Sequence, residues 1–181
     1  MRLPLQLQWL FTSITAGLLT RATHPKTLIL TGLIFGLGQW LVLYPVLHPR
    51  ARLAHVLWLP ATAFSGLVGY LLIATLGQRL LGPVLIAATA PYQNFASHLI
   101  FLTVLWSVIG LGQWPLLREV LPYAGWWILI SAVGGAMGAL IDLAILAAGK
   151  DAYSSLCAGM LAGGGYGAVT GKAIARLKDA K

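Results

Sequence analysis

The sequence predicts an all-α protein: a polytopic transmembrane bundle of about six spans, arranged as two inverted three-helix repeats after an N-terminal amphipathic helix. Three observations support this fold class. Of the 181 residues, 59% are hydrophobic and only 9% are charged. The apolar residues fall into runs of about 20, which is the helix length that crosses a bilayer. Finally, the pentapeptide Gly-Leu-Gly-Gln-Trp occurs twice, which indicates an internal repeat.

The charged residues are too few to cover a water-soluble globule. A soluble domain carries about a quarter charged residues because its surface must be hydrated, whereas this chain has 12 Lys and Arg and 4 Asp and Glu. We therefore expect apolar side chains to face lipid as well as one another. The net charge of +8 comes from basic residues between the apolar runs and at the C terminus, which indicates membrane sorting and no nucleic-acid partner. The one cysteine, Cys157, provides neither an internal disulfide nor metal-ligand spacing.

The N-terminal segment, residues 1–25, predicts a retained helix over 3–19. Its charged start and apolar centre are similar to a signal peptide, but no small-x-small cleavage site closes it. Four polar residues interrupt the apolar sequence: Gln6, Gln8, Thr12 and Ser13. They make the helix amphipathic, so the preferred interpretation places it in the membrane interface. A seventh span is the alternative.

Six apolar runs follow, and short segments containing Gly, Pro and charged residues separate them. The first repeat, 26–97, holds runs at 27–46, 55–76 and 80–97, and the second repeat, 98–175, holds runs at 98–117, 125–148 and 154–174. The run at 80–97 is broken by Pro83, Pro91, Gln93 and Asn94. Residues 176–181 form a basic tail.

The repeat is clearest where Gly36–Trp40 recurs unchanged as Gly110–Trp114, 74 residues later. Farther along, Trp58 aligns with Trp127. Because each copy holds three spans, an odd number, the second copy must enter the membrane from the opposite side. The halves are then related by a pseudo-two-fold axis in the membrane plane.

The distribution of Lys and Arg predicts the orientation. With six spans and the N terminus inside, nine basic residues fall on the inner side and three, Arg50, Arg52 and Lys150, on the outer side. The positive-inside rule therefore places both termini in the cytoplasm, and we expect a bacterial inner or thylakoid membrane. The loop with Arg50 and Arg52 runs against this choice.

Glycines spaced four apart predict close helix contacts. The residues are Gly159, Gly163, Gly167 and Gly171 on the last span, with Gly134 and Gly138 on the span before it. A stripe without side chains lets another backbone approach closely. Tight packing inside this chain is the preferred interpretation, and contact with a partner is the alternative.

Several polar and aromatic residues are candidates for ligand or partner contact. The residues are Gln39, Trp40, Gln113, Trp114, Asn94 and Asp142. For the two Gln-Trp pairs, an interfacial anchor is preferred over a symmetric pair of ligand sites. Asp142 is the one acid inside a predicted span, where a charge is costly, so a functional site and a structural pairing with Tyr153 or Asn94 carry equal weight. For Asn94, an early helix end at Pro91 is preferred over a substrate-binding break.

Three histidines near span ends, His48, His55 and His98, have the chemistry to ligate chlorophyll or haem iron, although an interfacial role is preferred. Motifs of metalloproteases, serine hydrolases and disulfide oxidoreductases do not occur in the sequence. We therefore expect no enzymatic activity.

The tandem Gly-x-Gly-Gln-Trp motifs, each followed by a span that opens with Trp, resemble a group of small uncharacterised bacterial membrane proteins of the cyanobacterial and Chloroflexi type. The resemblance covers residues 30–175 and brings no assigned activity. A weaker likeness, of architecture alone, is to the substrate-binding S components of energy-coupling-factor transporters, which also have six spans and cytoplasmic termini.

Two functions follow as expectations. The first is a non-catalytic accessory subunit or assembly factor of a larger membrane complex, photosynthetic or respiratory. The glycine stripes and the many tryptophans support it. The second is a small-solute transporter or substrate-binding membrane subunit, which the odd number of spans per repeat, the broken run and Asp142 support.

Overall fold

We analysed a computed structural model of the chain, which describes residues 3–22, 28–47, 52–75, 79, 93–121, 123–149 and 151–179. Within these ranges the protein is helical and contains no strand, so the predicted all-α class is confirmed. A helix pairs its backbone N–H and C=O groups within one segment, as a bilayer requires of a spanning segment.

Six helices make up the described chain. They are α1 (Leu5–Ala22), α2 (Leu28–Leu47), α3 (Arg52–Leu72), α4 (Gln93–Leu117), α5 (Trp126–Ala148) and α6 (Ala152–Asp179). A wider π-helical turn at 73–75 extends α3. Asp151 caps α6, because its carboxylate accepts a hydrogen bond from the backbone N–H of Ser154 at 2.6 Å. That bond holds the pKa of Asp151 below its usual value.

The helices form a closed ring. Each packs on its neighbours in the chain, and α1 closes the ring against α6. Neighbouring helices run antiparallel, since contacts between them pair early residues of one with late residues of the next, as when Gly36 lies against Thr62 and Gly32 against Ala63. One end of the ring therefore carries the starts of α1, α3 and α5, and the other end carries their last turns.

The N-terminal helix is a full member of this ring. It forms between α2 and α6 and buries Trp9, Ser13, Ala16 and Gly17. The polar residues that suggested an interfacial helix are used in part for packing, since Ser13 lies against Gly167 of α6. Whether this helix lies in the membrane interface or crosses as a further span stays a prediction.

One boundary differs from the prediction. Residues 93–97, expected to end the broken run at 80–97, belong instead to α4, which is 25 residues long and continuous through Pro115. Pro83 and Pro91 and the rest of that run, 80–92, lie outside the described residues.

Alternate helices carry the same buried sequence pattern. On α1, α3 and α5 a tryptophan is followed four residues later by Ser or Thr and four residues later again by Gly. The residues are Trp9, Ser13 and Gly17; Trp58, Thr62 and Gly66; and Trp127, Ser131 and Gly135. All nine are buried. A four-residue spacing keeps them on one helical face, and that face is turned into the ring.

The other three helices carry a matching pattern, and the two patterns pack together. On α2, α4 and α6 the buried residues are Gly36, Gln39 and Leu43; Gly110, Gln113 and Leu117; and Gly167, Thr170 and Ile174. Gly36 lies against Thr62, Gly110 against Ser131, and Gly167 against Ser13. The ring is thus built from three equivalent antiparallel pairs, α2 with α3, α4 with α5, and α6 with α1.

The predicted division into two inverted triples stays a prediction, because most of the third run of the first triple lies outside the described residues. The third helix pair joins the two ends of the chain. The third repeated pair therefore consists of the C-terminal helix α6 and the N-terminal helix α1.

The outer surface of the ring is apolar. Large hydrophobic side chains are exposed on all six helices, as in the row Leu30, Leu33, Leu37 and Leu41 on α2. Three helical segments are long and apolar enough to cross a membrane, Leu53–Thr75, Phe95–Leu117 and Trp126–Ala148, and Leu30–Pro45 is a shorter apolar helix. At 1.5 Å per residue, 23 residues span roughly 34 Å, enough for the hydrocarbon core of a bilayer.

Candidate functional site

Two halves of the ring differ in their centre. We call the half near the starts of α1, α3 and α5 the closed half, because large side chains fill it. Trp9, Trp58 and Trp127 are at most 2% exposed there. The rings of Trp9 and Trp127 meet edge to face, with centroids 6.1 Å apart, a favourable aromatic geometry.

A buried network of polar side chains lies beside these tryptophans. The Gln113 amide donates to the Gln39 side-chain oxygen at 3.0 Å and to the Thr62 hydroxyl at 2.8 Å. The Gln113 oxygen accepts from the Trp127 indole at 2.9 Å. Each bond satisfies a polar atom that has no water to bind. The repeated glutamines therefore link α2, α3, α4 and α5 across the ring.

The other half, which we call the open half, contains a cavity of about 460 Å³. It extends along the axis from the middle of the ring toward the last turns of α1 and α5. All six helices line it, and seven of the lining residues are glycines: Gly17, Gly32, Gly66, Gly135, Gly138, Gly159 and Gly163. The volume lies within the range of about 300–1,000 Å³ that is usual for small-molecule pockets.

Aromatic rings form the floor of the cavity. Trp106 and Tyr166 lie 4.0 Å apart between centroids, with their planes tilted by 31°. Phe35 meets both rings edge to face, at 5.0 Å and 6.1 Å. The Tyr166 hydroxyl is 3.5 Å from the Gln39 amide, so Tyr166 links the floor to the polar network of the closed half.

A charged cluster lies at the opposite end of the cavity. Asp142 of α5 is only 2% exposed in its side chain. Its carboxylate pairs with the Arg21 guanidinium from α1, and its Oδ2 bonds the His98 Nε2 from α4 at 2.9 Å. Three helices thus meet at one buried acid, which shows how its charge is compensated inside the ring.

The structure places the predicted glycines at helix contacts. Gly159, Gly163, Gly167 and Gly171 all lie against α1, whereas Gly134 lies against Tyr166 and Gly138 against the Ala162 carbonyl of α6. These glycines face other helices of the same chain. Gly138, Gly159 and Gly163 also border the cavity.

The predicted polar candidates separate into two groups. Gln39 and Gln113 meet in the closed half, while Trp40 stacks on His55 with centroids 5.6 Å apart and Trp114 packs at the edge of the same core. Asp142 lies apart from them, at the cavity. Of its expected partners, Tyr153 is wrong, since it is 76% exposed and Asp142 binds Arg21 and His98, and the side chain of Asn94 lies outside the described residues.

The three predicted histidines have different surroundings. His98 binds Asp142, and His55 stacks on Trp40 and meets Tyr44 edge to face. His48 lies outside the described residues. Pigment ligation by any of them stays a prediction.

Sequence reasoning missed most of the cavity. Arg21 was counted only as a topogenic charge, and Trp106, Tyr166 and Phe35 were not singled out. One signal was available, since Arg21 falls in the last turn of an apolar helix and Asp142 is the single acid within a span. Opposite charges in two apolar helices predict a pair.

Among the described residues, no three His, Cys, Asp or Glu side chains are grouped so as to hold a metal ion. Comparison with protein families, curated proteins and solved structures finds no match to the chain.

Proposed function

We propose that this chain is an integral membrane protein that binds a small solute at the centre of its helical ring, as a transporter or a substrate-binding membrane subunit. The central cavity is the observation that supports this function most directly. Its apolar wall, its few converging polar groups and its position between helices are the usual features of a small-molecule site.

The cavity is maintained at a cost in packing. Protein interiors are normally as dense as organic crystals, and large buried side chains fill the centre of the ring in the closed half. In the open half, glycine occupies inward positions, whereas larger side chains occupy the inward positions of the closed half. Each missing contact lowers stability. A solute that binds in the cavity would explain why the space is kept.

The proposed topology has six crossing helices, α1 to α6, with both termini on the cytoplasmic face of a bacterial inner or thylakoid membrane. Eight of the 12 basic residues then belong to the cytoplasmic side: Arg2, Arg50, Arg52, Arg118, Lys172, Arg176, Lys178 and Lys181. The loop with Arg50 and Arg52 is cytoplasmic in this topology and so agrees with the positive-inside rule. It ran against that rule in the topology predicted from the apolar runs.

A second candidate function is a non-catalytic accessory subunit of a larger membrane complex. The row of exposed leucines on α2, at Leu30, Leu33, Leu37 and Leu41, has the spacing of a helix-packing ridge. A partner helix fits such a ridge as well as lipid does.

Native mass spectrometry of the protein purified in mild detergent tests the two functions. We expect single chains that retain a small molecule, and we expect that molecule to be lost from the cavity-filling variant Gly66→Leu. A Cβ on Gly66 meets only ordinary contacts, at 3.8 Å, so the added side chain has room at its base and takes up cavity volume.

Gly125→Leu is the matched control, because a Cβ there meets nothing within 4 Å and Gly125 is exposed outside the ring. It should retain the molecule. Stoichiometric copurification with a large complex, and no small molecule in either protein, contradicts the solute-binding function and supports the accessory subunit.

A further inference from the structure

The cavity has two chemically distinct ends, and together they restrict the ligand. The floor presents the rings of Phe35, Trp106 and Tyr166, whereas the far end presents Arg21, His98 and Asp142. A ligand that fills both ends is amphipathic. Its apolar part meets aromatic rings, which favour another ring through stacked or edge-to-face contact.

The hydrogen bonds of the charged cluster indicate the sign of the polar group. Both oxygens of Asp142 already accept bonds. The bonds of Arg21 use only Nη2, so its Nε and Nη1 donors have no partner within the described residues. Arg21 lines the cavity, so this end has donors left for an anionic group, whereas each oxygen of Asp142 already accepts at least one bond.

The net charge at this end agrees with the donor count. Arg21 contributes +1 and Asp142 contributes −1, while His98 contributes zero or +1 according to its protonation. The sum is never negative. A guanidinium binds a carboxylate through two parallel charge-assisted bonds, so a carboxylate matches the spare side of Arg21.

The distance between the two ends limits the ligand's length. Gly135, which packs on Trp106, precedes Asp142 by seven residues on the same helix, or roughly 10 Å at 1.5 Å per residue. A ring joined to a carboxylate by a short aliphatic spacer fits that separation.

From these observations we propose that the cavity binds an aromatic monocarboxylate, with its ring on the Trp106–Tyr166 floor and its carboxylate on Arg21. This inference rests on the proposed solute-binding function. It adds the chemical class of the ligand and the residue that selects it. Charge-assisted bonds to the ligand are worth about 1.5–3 kcal/mol, or roughly a 10- to 100-fold change in affinity.

Isothermal titration calorimetry with three probes of the same shape tests the ligand class. The probes are 3-(2-naphthyl)propanoate, its neutral amide and the corresponding 3-(2-naphthyl)propylammonium ion. We expect the carboxylate to bind wild-type protein at least about tenfold more tightly than the amide, and the ammonium ion to bind most weakly.

The double variant Arg21→Gln/Asp142→Asn keeps the site neutral while removing the guanidinium, so it avoids leaving a lone buried charge. There the preference for carboxylate over amide should fall to about threefold or less. Near-ultraviolet circular dichroism checks that the variant is folded. If it is not folded, Arg21→Lys provides the same test, because a point charge cannot reproduce the bidentate geometry and the preference should decrease.

Three results overturn the inference in distinguishable ways. If the amide or the ammonium ion binds as tightly as the carboxylate, the ligand class is wrong, but a solute-binding cavity stands. If the carboxylate preference survives in the folded double variant, the acid binds elsewhere. If no probe binds wild-type protein, the proposed ligand class is wrong, and the proposed function fails only if native mass spectrometry also finds no small molecule in wild-type protein.

Discussion

The closed and open halves of the ring are built from the same six helices but differ in what occupies the centre. In the closed half, Trp9, Trp58 and Trp127 fill the axis and join a polar network. In the open half, about two turns farther along α1, α3 and α5, the inward positions are taken by Gly17, Gly66 and Gly135. The comparison shows how one repeated helix pair both fills the axis and leaves a cavity. Tryptophan, the largest side chain, lies on the axis in the closed half, and glycine, the smallest residue, takes its place in the open half.

The halves also differ in how they satisfy polar groups. The closed half uses neutral amide, hydroxyl and indole bonds, both between neighbouring helices and across the ring. The open half uses an ion pair between α1 and α5 with a histidine from α4. Neutral bonds at full burial favour a fixed arrangement, whereas partly exposed charges leave donors for a ligand.

We expect the largest loss of stability where two helices of the open half touch through their backbones. A side chain on Gly163 would overlap the Ser13 carbonyl and approach Gly17 Cα of α1, and neither backbone can yield without separating α1 from α6. Gly163→Leu should therefore cost about 3 kcal/mol or more. It should appear as aggregation or loss of monodisperse protein in detergent chromatography, while Gly125→Leu elutes normally. Normal elution of Gly163→Leu would show that α1 does not pack on α6.

Substitutions in the charged cluster should give the next largest loss of stability. The loss should differ between Arg21 and Asp142. Arg21→Gln leaves Asp142 almost fully buried with His98 alone, whereas Asp142→Asn leaves Arg21, whose side chain is 32% exposed. We expect Arg21→Gln to cost about 3 kcal/mol and Asp142→Asn clearly less, since a partly exposed charge stays hydrated.

Thermal unfolding in detergent measures this asymmetry. Adding Asp142→Asn to Arg21→Gln should recover part of the lost stability, because it removes the lone buried carboxylate. Strictly additive losses would mean that the two side chains are not coupled. If Asp142 also serves transport, Asp142→Asn abolishes that activity whatever its stability.

The tryptophans of the closed half differ in whether the indole N–H has a hydrogen-bond partner. The Trp127 indole donates to Gln113 and the Trp9 indole donates to the Thr170 hydroxyl at 2.8 Å, but the buried Trp58 Nε1 has no partner among the described atoms. Trp127→Phe should cost about 1–3 kcal/mol more than Trp58→Phe, because it strands the Gln113 oxygen. Denaturation of the two variants measures the difference, and equal losses would contradict the network.

The smallest effect compares alanine substitutions in the two halves. A Cβ on Gly66 meets ordinary contacts, whereas one on Gly110 comes within 2.9 Å of Ser131. We expect Gly66→Ala to change the free energy of unfolding by no more than about 0.5 kcal/mol and Gly110→Ala to lower it by about 1 kcal/mol or more. The opposite ranking, measured by thermal unfolding, would place the cavity elsewhere.

Much of the helical content could be predicted because it is a local property. Runs of apolar residues predict α2, α3, α4 and α5 to within a few residues, and the glycine spacing on α6 predicts a close neighbour. The start of α4 was missed because the polar residues Gln93, Asn94, Ser97 and His98 interrupt the apolar pattern there, so hydropathy separates residues 93–97 from the run that follows.

The candidate site was predictable only in part. Asp142 stood out because an acid inside a span needs a partner, but its partners did not. They lie 121 and 44 residues away in the chain, and hydropathy contains no information on distant pairing. The third copy of the helix pair was hidden for a related reason, since its two helices come from opposite ends of the chain.

The sequence by itself determined the all-helical class, the positions of the long apolar runs and the glycines where helices come close, because composition, run length and glycine spacing act locally. Only the tertiary structure decided the order of helices in the ring, the closure of α1 on α6 and the meeting of Arg21, His98 and Asp142. These depend on which faces pack best against which, and that choice is settled by all six helices together.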